Sequence, residues 1–245
     1  MSSSVIKSPT PILEKKGFTV FLAGPMKGAP KWQRTVPKIA ESIGIDGVTW
    51  LNPYRCQRWV TWREQVAWET QGLRVCDVAL FWIPNQETEV EGRDYAQTTR
   101  MELLENLARG KRVILGIDDD IRAADYMKYK AKSYGVRKVH KTLEGCLEEL
   151  RDIIREEESR GPRSFSVCDL CFGSEDALAA RAQFSSVLDM NQTIVERWNR
   201  QVGLHDTVWC SGDVGDESWL RLLNGDIRFG VPSDGSVQIN PLILF

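Results

Sequence analysis

The feature of this sequence that most restricts its fold is an alternation of short apolar runs with segments of helical periodicity. The apolar runs occupy residues 18–24, 47–53, 77–84, 112–118 and 136–140, and a helix-like segment follows each of them. Consecutive strands that are joined by helices pair in parallel, because the helix returns the chain to the same end of the sheet. The sequence therefore predicts an α/β fold built on a parallel sheet.

The pattern also predicts how the chain divides into domains. Residues 17–160 are expected to form a doubly wound parallel five-stranded sheet, flavodoxin- or Rossmann-like, and residues 1–16 a flexible N-terminal lead-in rich in Ser, Pro and Lys. A polar Gly-Pro stretch at 158–164 then separates off a smaller α+β C-terminal domain at 161–245. A chain of 245 residues is long enough to give each domain its own core.

Charge and cysteine content exclude several classes of partner. A net charge of -2 offers no electrostatic reason to bind nucleic acid or an anionic membrane. The sequence has no run of about 18 apolar residues, and its first residues lack the apolar core of a signal peptide. Six spread cysteines are typical of reduced thiols. We therefore expect a cytoplasmic protein that binds neither nucleic acid nor a membrane.

Small and polar residues stand where the predicted strands end, which is where parallel sheets bind ligands. The candidate ligand-binding residues there are Gly24, Pro25, Met26, Lys27, Gly28, Asn52, Arg55 and Trp82. A Gly-Pro turn is more often a turn without a ligand, and a tryptophan more often packs in a core. These residues become informative only in combination.

Two glutamates flank the third predicted strand. Glu69 lies on the preceding helix, eight residues before Asp77, and Glu102 lies near the start of the following helix. A helix N-terminus favours an ionised carboxylate by roughly 0.3–1 kcal/mol. Either glutamate alone is typical of a solvated helix surface, but both can converge on one cleft.

The order "VFLAGPM", "LNPYR", "WREQVAWE", "CDVALFWIP", "TTRMEL" and "GKRVILGID" resembles the nucleoside 2-deoxyribosyltransferase-like superfamily, which includes N-glycosidases of nucleotides. The resemblance covers residues 19–153. It implies an intracellular enzyme that needs no cofactor, acts on a small-molecule nucleoside or nucleotide, and assembles as a homo-oligomer, most often a dimer.

The resemblance also implies roles for individual residues. Glu102 of "TRMEL" matches the nucleophile, and Glu69 matches a carboxylate that binds the sugar hydroxyls or assists as acid or base. Phe21 stands where the transferases commonly have a tyrosine that orients the nucleophile. Asp94 is the candidate for protonating the departing base, at a shifted spacing, and Arg100 for assisting Glu102 or binding a phosphate.

Carboxylates at these two positions suit the chemistry that the resemblance implies. Breaking an N-glycosidic bond places positive charge on the sugar, which a nearby carboxylate can stabilise or attack at C1′. An acid that protonates the leaving base is worth roughly 10²–10⁴-fold in rate. The sequence does not distinguish water from a second base as the acceptor, so hydrolysis and transfer both remain open.

The C-terminal part resembles a calcineurin-like metallophosphoesterase, through "MNQTIVERWNRQV" and "DTVWCSGD". Asp169 and Asp213 match metal ligands of that family, but Cys171 and Ser174 stand where it has histidines. Two-metal hydrolysis needs a full set of ligands, so we expect a degenerate remnant that binds no metal. A zinc site using Cys168, Cys171 and Cys210 is the weaker alternative, because the single CxxC lacks a second pair.

The sequence thus predicts cleavage of an N-glycosidic bond, or transfer of a 2-deoxyribosyl group, on a nucleoside or nucleoside 5′-monophosphate. A nucleotide-binding sensor or effector subunit with little turnover is the alternative, favoured by Phe21 and the degenerate second domain. Metallophosphoesterase activity is the third possibility.

Overall fold

A computed structural model describes residues 3–55, 59–119, 121, 124–230, 239–241 and 244. The chain forms two compact units. The first comprises Met1–Pro11 and Phe18–Arg155, and the second comprises Ile12–Gly17 and Glu156–Phe245. Where the sequence predicts one boundary near residue 160, the structure therefore has a second unit assembled from two separate stretches of chain.

The first unit contains six strands and five helices in its described residues. The strands are β1 (Ser4–Lys7), β2 (Thr19–Ala23), β3 (Thr49–Asn52), β4 (Val78–Ile83), β5 (Val113–Ile117) and β6 (Val139–His140). The helices are α1 (Val36–Ser42), α2 (Trp62–Val75), α3 (Gln97–Ala108), α4 (Ala124–Ser133) and α5 (Leu143–Ser159), the last of which continues into the second unit. A short 3₁₀ helix, Trp32–Arg34, precedes α1.

All six strands are parallel, in the order β1-β3-β2-β4-β5-β6. From β2 the chain moves to β3 on one side, and then crosses back to β4 on the other side of β2. This reversal leaves a crevice at the carboxyl ends of β2 and β4, where doubly wound sheets bind their ligands. The predicted α/β class with a parallel sheet is confirmed.

The number of strands differs from the prediction. The sequence predicts five strands and assigns residues 1–16 to a flexible lead-in, whereas Ser4–Lys7 pairs in register with β3 and forms the sheet edge. The β-branched pair Val5 and Ile6 suits a strand, but a half-exposed edge strand lacks the apolar run that marks the buried ones. Residues 1 and 2 of the predicted lead-in lie outside the described residues.

Local sequence accounts for the helix and strand that frame the crevice. Helix α2 begins with a capping box, in which Thr61 and Glu64 each accept a hydrogen bond from the other's backbone N–H. Every residue of β4 is buried, as expected for a central parallel strand covered on both faces. Just before β4, the Asp77 carboxylate accepts a 2.8 Å hydrogen bond from the Thr19 N–H, which joins the starts of β4 and β2.

The second unit also contains a parallel sheet. Its strands are β7 (Ser164–Cys168), β8 (Thr207–Ser211), β9 (Asp226–Phe229) and β10 (Ile239–Pro241), in the order β10-β7-β8-β9. Helices α6 (Glu175–Ala180) and α7 (Val187–Gln201) lie between β7 and β8 in the chain. The sequence predicts α+β here, but each pairing is parallel, because helical segments connect the successive strands β7, β8 and β9.

No helix in the described ranges has both the length and the apolar character that crossing a lipid bilayer requires.

A glycine in β5 is essential to the packing of the first unit. A Cβ atom at Gly116 would lie 2.4 Å from Cys146 Sγ and 2.5 Å from Trp82 Cε3. We expect Gly116→Ala to lower the free energy of unfolding by about 1–3 kcal/mol, because the indole and the thiol are both buried and must move. Denaturant titration measures the loss. Gly161→Ala is the control, since nothing lies within 4 Å of its added Cβ, and an equal loss there would contradict the packing argument.

Candidate active site

A cavity of about 650 Å³ opens at the carboxyl ends of β2, β3 and β4. Its size lies within the roughly 300–1,000 Å³ that is usual for small-molecule sites. Its walls come from the loops that follow these three strands and from one face each of α2 and α3. The crevice at the topological reversal of the sheet is therefore the candidate site.

Glu69 from α2 and Glu102 from α3 both line this cavity. Residues one helical turn before each of them do so as well, Gln65 and Val66 on α2 and Thr98 and Thr99 on α3. Positions three and four apart lie on one helix face, so each helix presents a continuous strip to the cavity. The two glutamates, distant in sequence, are thereby brought to one wall.

Helix α3 begins five residues before Glu102, so this carboxylate lies in the second helical turn. The sequence predicts that a helix N-terminus favours the ionised form of Glu102, but that influence fades within the first turn. Burial acts in the opposite direction. Desolvation, followed by the nearby charges of Glu69 and Glu105, raises the pKa of Glu102 to about 8 against the opposing charge of Arg93. Glu102 is therefore mainly protonated at neutral pH in the free protein.

Glu69 is buried as well but has better partners. Desolvation raises its pKa, and this is opposed by a hydrogen bond from Gln65 and by the charge of Arg55. The Gln65 Nε2–H donates to Glu69 Oε1 at 2.7 Å. In Glu102, in contrast, burial and the neighbouring charges of Glu69 and Glu105 disfavour the charged form, so the two carboxyl groups face different surroundings.

Gln65 is a buried side chain whose carboxamide makes four hydrogen bonds. Its Nε2 also donates to the Pro53 carbonyl at 2.8 Å, and its Oε1 accepts from Ser8 Oγ at 2.7 Å and from Arg55 Nε at 3.2 Å. Arg55 can only donate and the Pro53 carbonyl can only accept, so the carboxamide has one consistent orientation. Gln65 therefore presents an N–H, and not a carbonyl, to Glu69.

Three cationic side chains line the same cavity: Lys27, Arg55 and Arg93. Arg55 is held in place, because its Nη1 also donates to the Val60 carbonyl at 3.3 Å. Arg93 Nη2 donates to Thr98 Oγ1 at 2.9 Å, which ties the loop after β4 to the first turn of α3. The cavity thus combines carboxylates on one wall with cations from three separate loops.

Aromatic side chains complete the cavity wall. Phe21 lines it and is almost fully buried, with its ring centroid 6.0 Å from that of Trp68 on α2. Tyr95 lines it too, and donates a 2.7 Å hydrogen bond to the Pro84 carbonyl. Burial, reinforced by the charges of Glu87 and Asp118, raises the pKa of Tyr95, so its hydroxyl keeps its proton.

The structure places most of the predicted site residues in the cavity wall. Those that line it are Phe21, Gly24, Pro25, Met26, Lys27, Arg55, Glu69, Asp94 and Glu102. Four further candidates, Gly28, Asn52, Trp82 and Arg100, are not among its lining residues.

Asn52 and Gly28 instead support the loops behind the wall. Asn52 is buried; its Nδ2 donates to the Gln33 carbonyl, and its Oδ1 accepts from the Tyr54 N–H. The Gly28 carbonyl accepts from the Glu87 N–H at 2.8 Å. Gly28 has a φ of +74°, and an added Cβ would lie 2.5 Å from the Thr88 carbonyl oxygen. Gly28 therefore joins the loops that follow β2 and β4.

Trp82 and Arg100 also lie outside the set of residues that line the cavity. Trp82 is buried, and its ring packs where a side chain at Gly116 would otherwise stand. Arg100 lies two residues before Glu102, and residues two apart on a helix do not share a face. Arg93, in contrast, lines the cavity, and its charge acts on Glu102.

Sequence reasoning missed several cavity residues, notably Tyr54, Gln65, Arg93, Tyr95, Thr98 and Thr99. Helical spacing from Glu69 and Glu102 would have found Gln65, Thr98 and Thr99. Arg93 and Tyr95 belong to an irregular loop, where the spacing of residues in the sequence does not indicate which way a side chain points.

A smaller cavity of about 120 Å³ lies between α2 and α3. Glu69 and Glu102 line it together with Arg74, Asn106 and Arg109. The same two carboxyl residues therefore border both cavities.

Comparison with known protein families agrees with this geometry. Residues 17–120 match the family model described as nucleoside 2-deoxyribosyltransferase like. The matched segment runs from just before β2 to just beyond β5, so it contains both glutamates and the whole cavity wall. The segment of this chain that is similar to the family is thus the one that builds the site. No curated protein matches the chain by sequence.

The family match does not extend to the second unit, and nothing supports the predicted metallophosphoesterase resemblance there. Asp169 lies after β7 with a φ of +52°, and its Oδ1 accepts from the Asp213 N–H at 3.1 Å. Cys171 also has a positive φ, and Ser174 caps α6. Within the described residues, no group of three or more His, Cys, Asp or Glu side chains is placed to hold a metal ion.

The burial of Glu102 predicts a stability that depends on pH. The pKa of its carboxyl is about 8 in the folded protein, against an ordinary value of 4.5 in the unfolded chain. Between these two values the unfolded chain has released a proton that the folded chain retains. The free energy of unfolding therefore falls as pH rises through this window, by at most about 1.4 kcal/mol per pH unit.

Glu102→Gln removes this ionisation and is expected to stabilise the protein, with a larger gain at pH 8 than at pH 5. Urea unfolding at both pH values measures the gain. Glu41→Gln, on the exposed surface of α1, is the matched control for replacing a glutamate by its amide. A Glu102→Gln gain that is the same at both pH values would contradict the raised pKa.

Proposed function

We propose that the protein cleaves the N-glycosidic bond of a nucleoside or a nucleoside 5′-monophosphate, with Glu102 as the nucleophile. The observation that carries this proposal is the meeting of Glu69 and Glu102 on one wall of a cavity of about 650 Å³, in a segment similar to nucleoside 2-deoxyribosyltransferases. The cavity has room for a nucleoside, and its carboxylates suit a reaction that places positive charge on the sugar.

The proposed reaction begins with attack of a Glu102 carboxylate oxygen on C1′ of the sugar. The C1′–N bond breaks as the C1′–O bond forms, and the departing base takes a proton. Asp94, which lines the cavity on the loop before α3, is the group to which we assign delivery of that proton. Water or a second base then attacks C1′ and gives a proton to Asp94, which regenerates both Glu102 and Asp94 and yields a free sugar or a new nucleoside.

Glu69 is assigned to the sugar hydroxyls. Its Oε1 is held by Gln65, so the direction of its remaining lone pairs is constrained before a ligand arrives. A carboxylate that accepts hydrogen bonds from sugar hydroxyls orients C1′ towards the nucleophile, and orientation of this kind is a large part of enzymatic rate enhancement. Lys27, Arg55 and Arg93 supply positive charge suited to a 5′-phosphate.

The test is release of free base from a panel of nucleosides and nucleoside 5′-monophosphates, followed by chromatography. We expect Glu102→Gln to lower kcat/KM by roughly 10³-fold or more, because a carboxamide is a poor nucleophile. Binding measured by calorimetry should persist in that variant. Base release that is unchanged by Glu102→Gln would refute the assignment of the nucleophile.

The pH dependence of the same reaction follows from the raised pKa of Glu102. The nucleophile must be ionised, and its pKa in the free protein is about 8. We therefore expect kcat/KM to increase with pH and to level off above about 8. A profile that is flat from pH 6 to pH 9 would contradict ionised Glu102 as the attacking group.

A nucleotide-binding sensor with little turnover is the second candidate, and Phe21 favours it. The phenyl ring lines the cavity where the transferases commonly carry a tyrosine hydroxyl, so this possible donor to the carboxylates is lacking. Phe21→Tyr restores the hydroxyl. For a slow enzyme we expect a gain of about tenfold or more in single-turnover rate, because a hydrogen bond to a charged group is worth roughly 1.5–3 kcal/mol. A sensor would bind nucleotide and release no base in either form.

A further inference from the structure

The short segment that follows the edge strand β1 makes two hydrogen-bonded contacts with helix α2. Ser8 Oγ donates to Gln65 Oε1 at 2.7 Å, and Trp68 Nε1 donates to the Thr10 carbonyl at 2.7 Å. Ser8 and Gln65 are buried, at 0% and 3% exposure, so water does not compete for their hydrogen bond. We call residues 8–10 the N-terminal clamp.

Both contacts involve α2 residues that are connected to the wall of the active-site cavity. Gln65 donates to Glu69 one helical turn further on, and Trp68 packs against Phe21. Gln65, Glu69 and Phe21 all line the larger cavity. The clamp therefore contacts the cavity-lining residue Gln65 directly through Ser8. It is connected to the cavity-lining residue Phe21 through Trp68, which binds Thr10.

The clamp also affects which way the Gln65 carboxamide turns. Without the Ser8 hydroxyl, Oε1 would keep only the longer hydrogen bond from Arg55, at 3.2 Å. Arg55 is itself exposed and lines the cavity, where an incoming ligand can compete for its guanidinium. Ser8 is thus the partner of Gln65 Oε1 that does not depend on whether the cavity is occupied.

We propose that the N-terminal clamp is a positioning element of the active site, in which Ser8 orients Gln65, Gln65 orients Glu69, and Thr10 holds Trp68 against Phe21. This inference rests on the proposed function and deepens it, because it adds three supporting residues behind the cavity wall. None of Ser8, Thr10 and Trp68 lines the cavity, so they act through Gln65 and Phe21.

The decisive comparison is Ser8→Ala with Ser4→Ala. Both serines lie at the N-terminal edge of the first sheet, but the Ser4 hydroxyl pairs with Thr49 Oγ1 on β3 and not with α2. For Ser8→Ala we expect a decrease in kcat/KM of about three- to tenfold, the loss appropriate to one hydrogen bond, while Ser4→Ala retains the wild-type value. Trp68→Phe, which keeps an aromatic ring but deletes the donor to Thr10, should lower kcat/KM similarly.

A second measurement separates positioning from a loss of fold. The Gln65 N–H stabilises the charged form of Glu69, so loosening it should raise the pKa of the Glu69 carboxyl. We expect a ¹³C NMR titration of that carboxyl to shift upward in Ser8→Ala and to be unchanged in Ser4→Ala. Urea unfolding of both variants monitors stability, which a purely structural role would alter without moving the titration.

The two proposals fail in distinguishable ways. If wild-type protein releases no base from any substrate, the proposed function fails, and the Glu69 titration alone then decides whether the clamp positions that carboxylate. If base is released but Ser8→Ala and Ser4→Ala share the wild-type kinetics and titration, the clamp inference is overturned and the proposed function stands. An upward shift in Ser8→Ala alone supports the clamp in either case.

Discussion

Strand β2 pairs in parallel with both β3 and β4, and the functional geometry of the first unit depends on this central position. Because the chain leaves β2 in one direction and returns past it in the other, the loops after β2, β3 and β4 diverge and leave an opening at one edge of the sheet. Helices α2 and α3, which precede and follow β4, each turn one face towards that opening. Two carboxylates separated by more than thirty residues of chain thereby share a wall.

The cost of that arrangement is the removal of two like charges from water. The two glutamates have different partners. A hydrogen bond from Gln65 and the charge of Arg55 favour the charged form of Glu69. In Glu102 the charged form is disfavoured by the acidic neighbours and favoured by Arg93. Pairs of titratable groups with contrasting surroundings are typical of acid–base and nucleophilic sites. Because Glu102 holds a proton at neutral pH in the free protein, it must release that proton before it can act as the nucleophile.

Much of the first unit could be predicted from the sequence, and the failures have physical causes. Buried parallel strands are continuous apolar runs, so β2 to β5 are evident, while the half-exposed strand β1 is short and mixed in character. The sequence shows which residues follow a strand, but not the direction of each side chain. Asn52 therefore looks like a ligand-binding residue, although its amide is used by neighbouring backbone groups.

The divided second unit has a consequence for how the protein is made. Residues Ile12–Gly17 belong to that unit, where Ile12 is almost fully buried and the Lys15 N–H donates to the Arg221 carbonyl at 2.8 Å. A ribosome synthesises this hexapeptide long before the partners that receive it, and strands β2 to β6 of the first sheet are translated in the interval. The second unit can therefore complete its folding only after residues 12–17, which are synthesised early, bind to the part of the chain that is synthesised last. A protein cut at residue 160 would separate the C-terminal part from residues 12–17, which belong to the same unit.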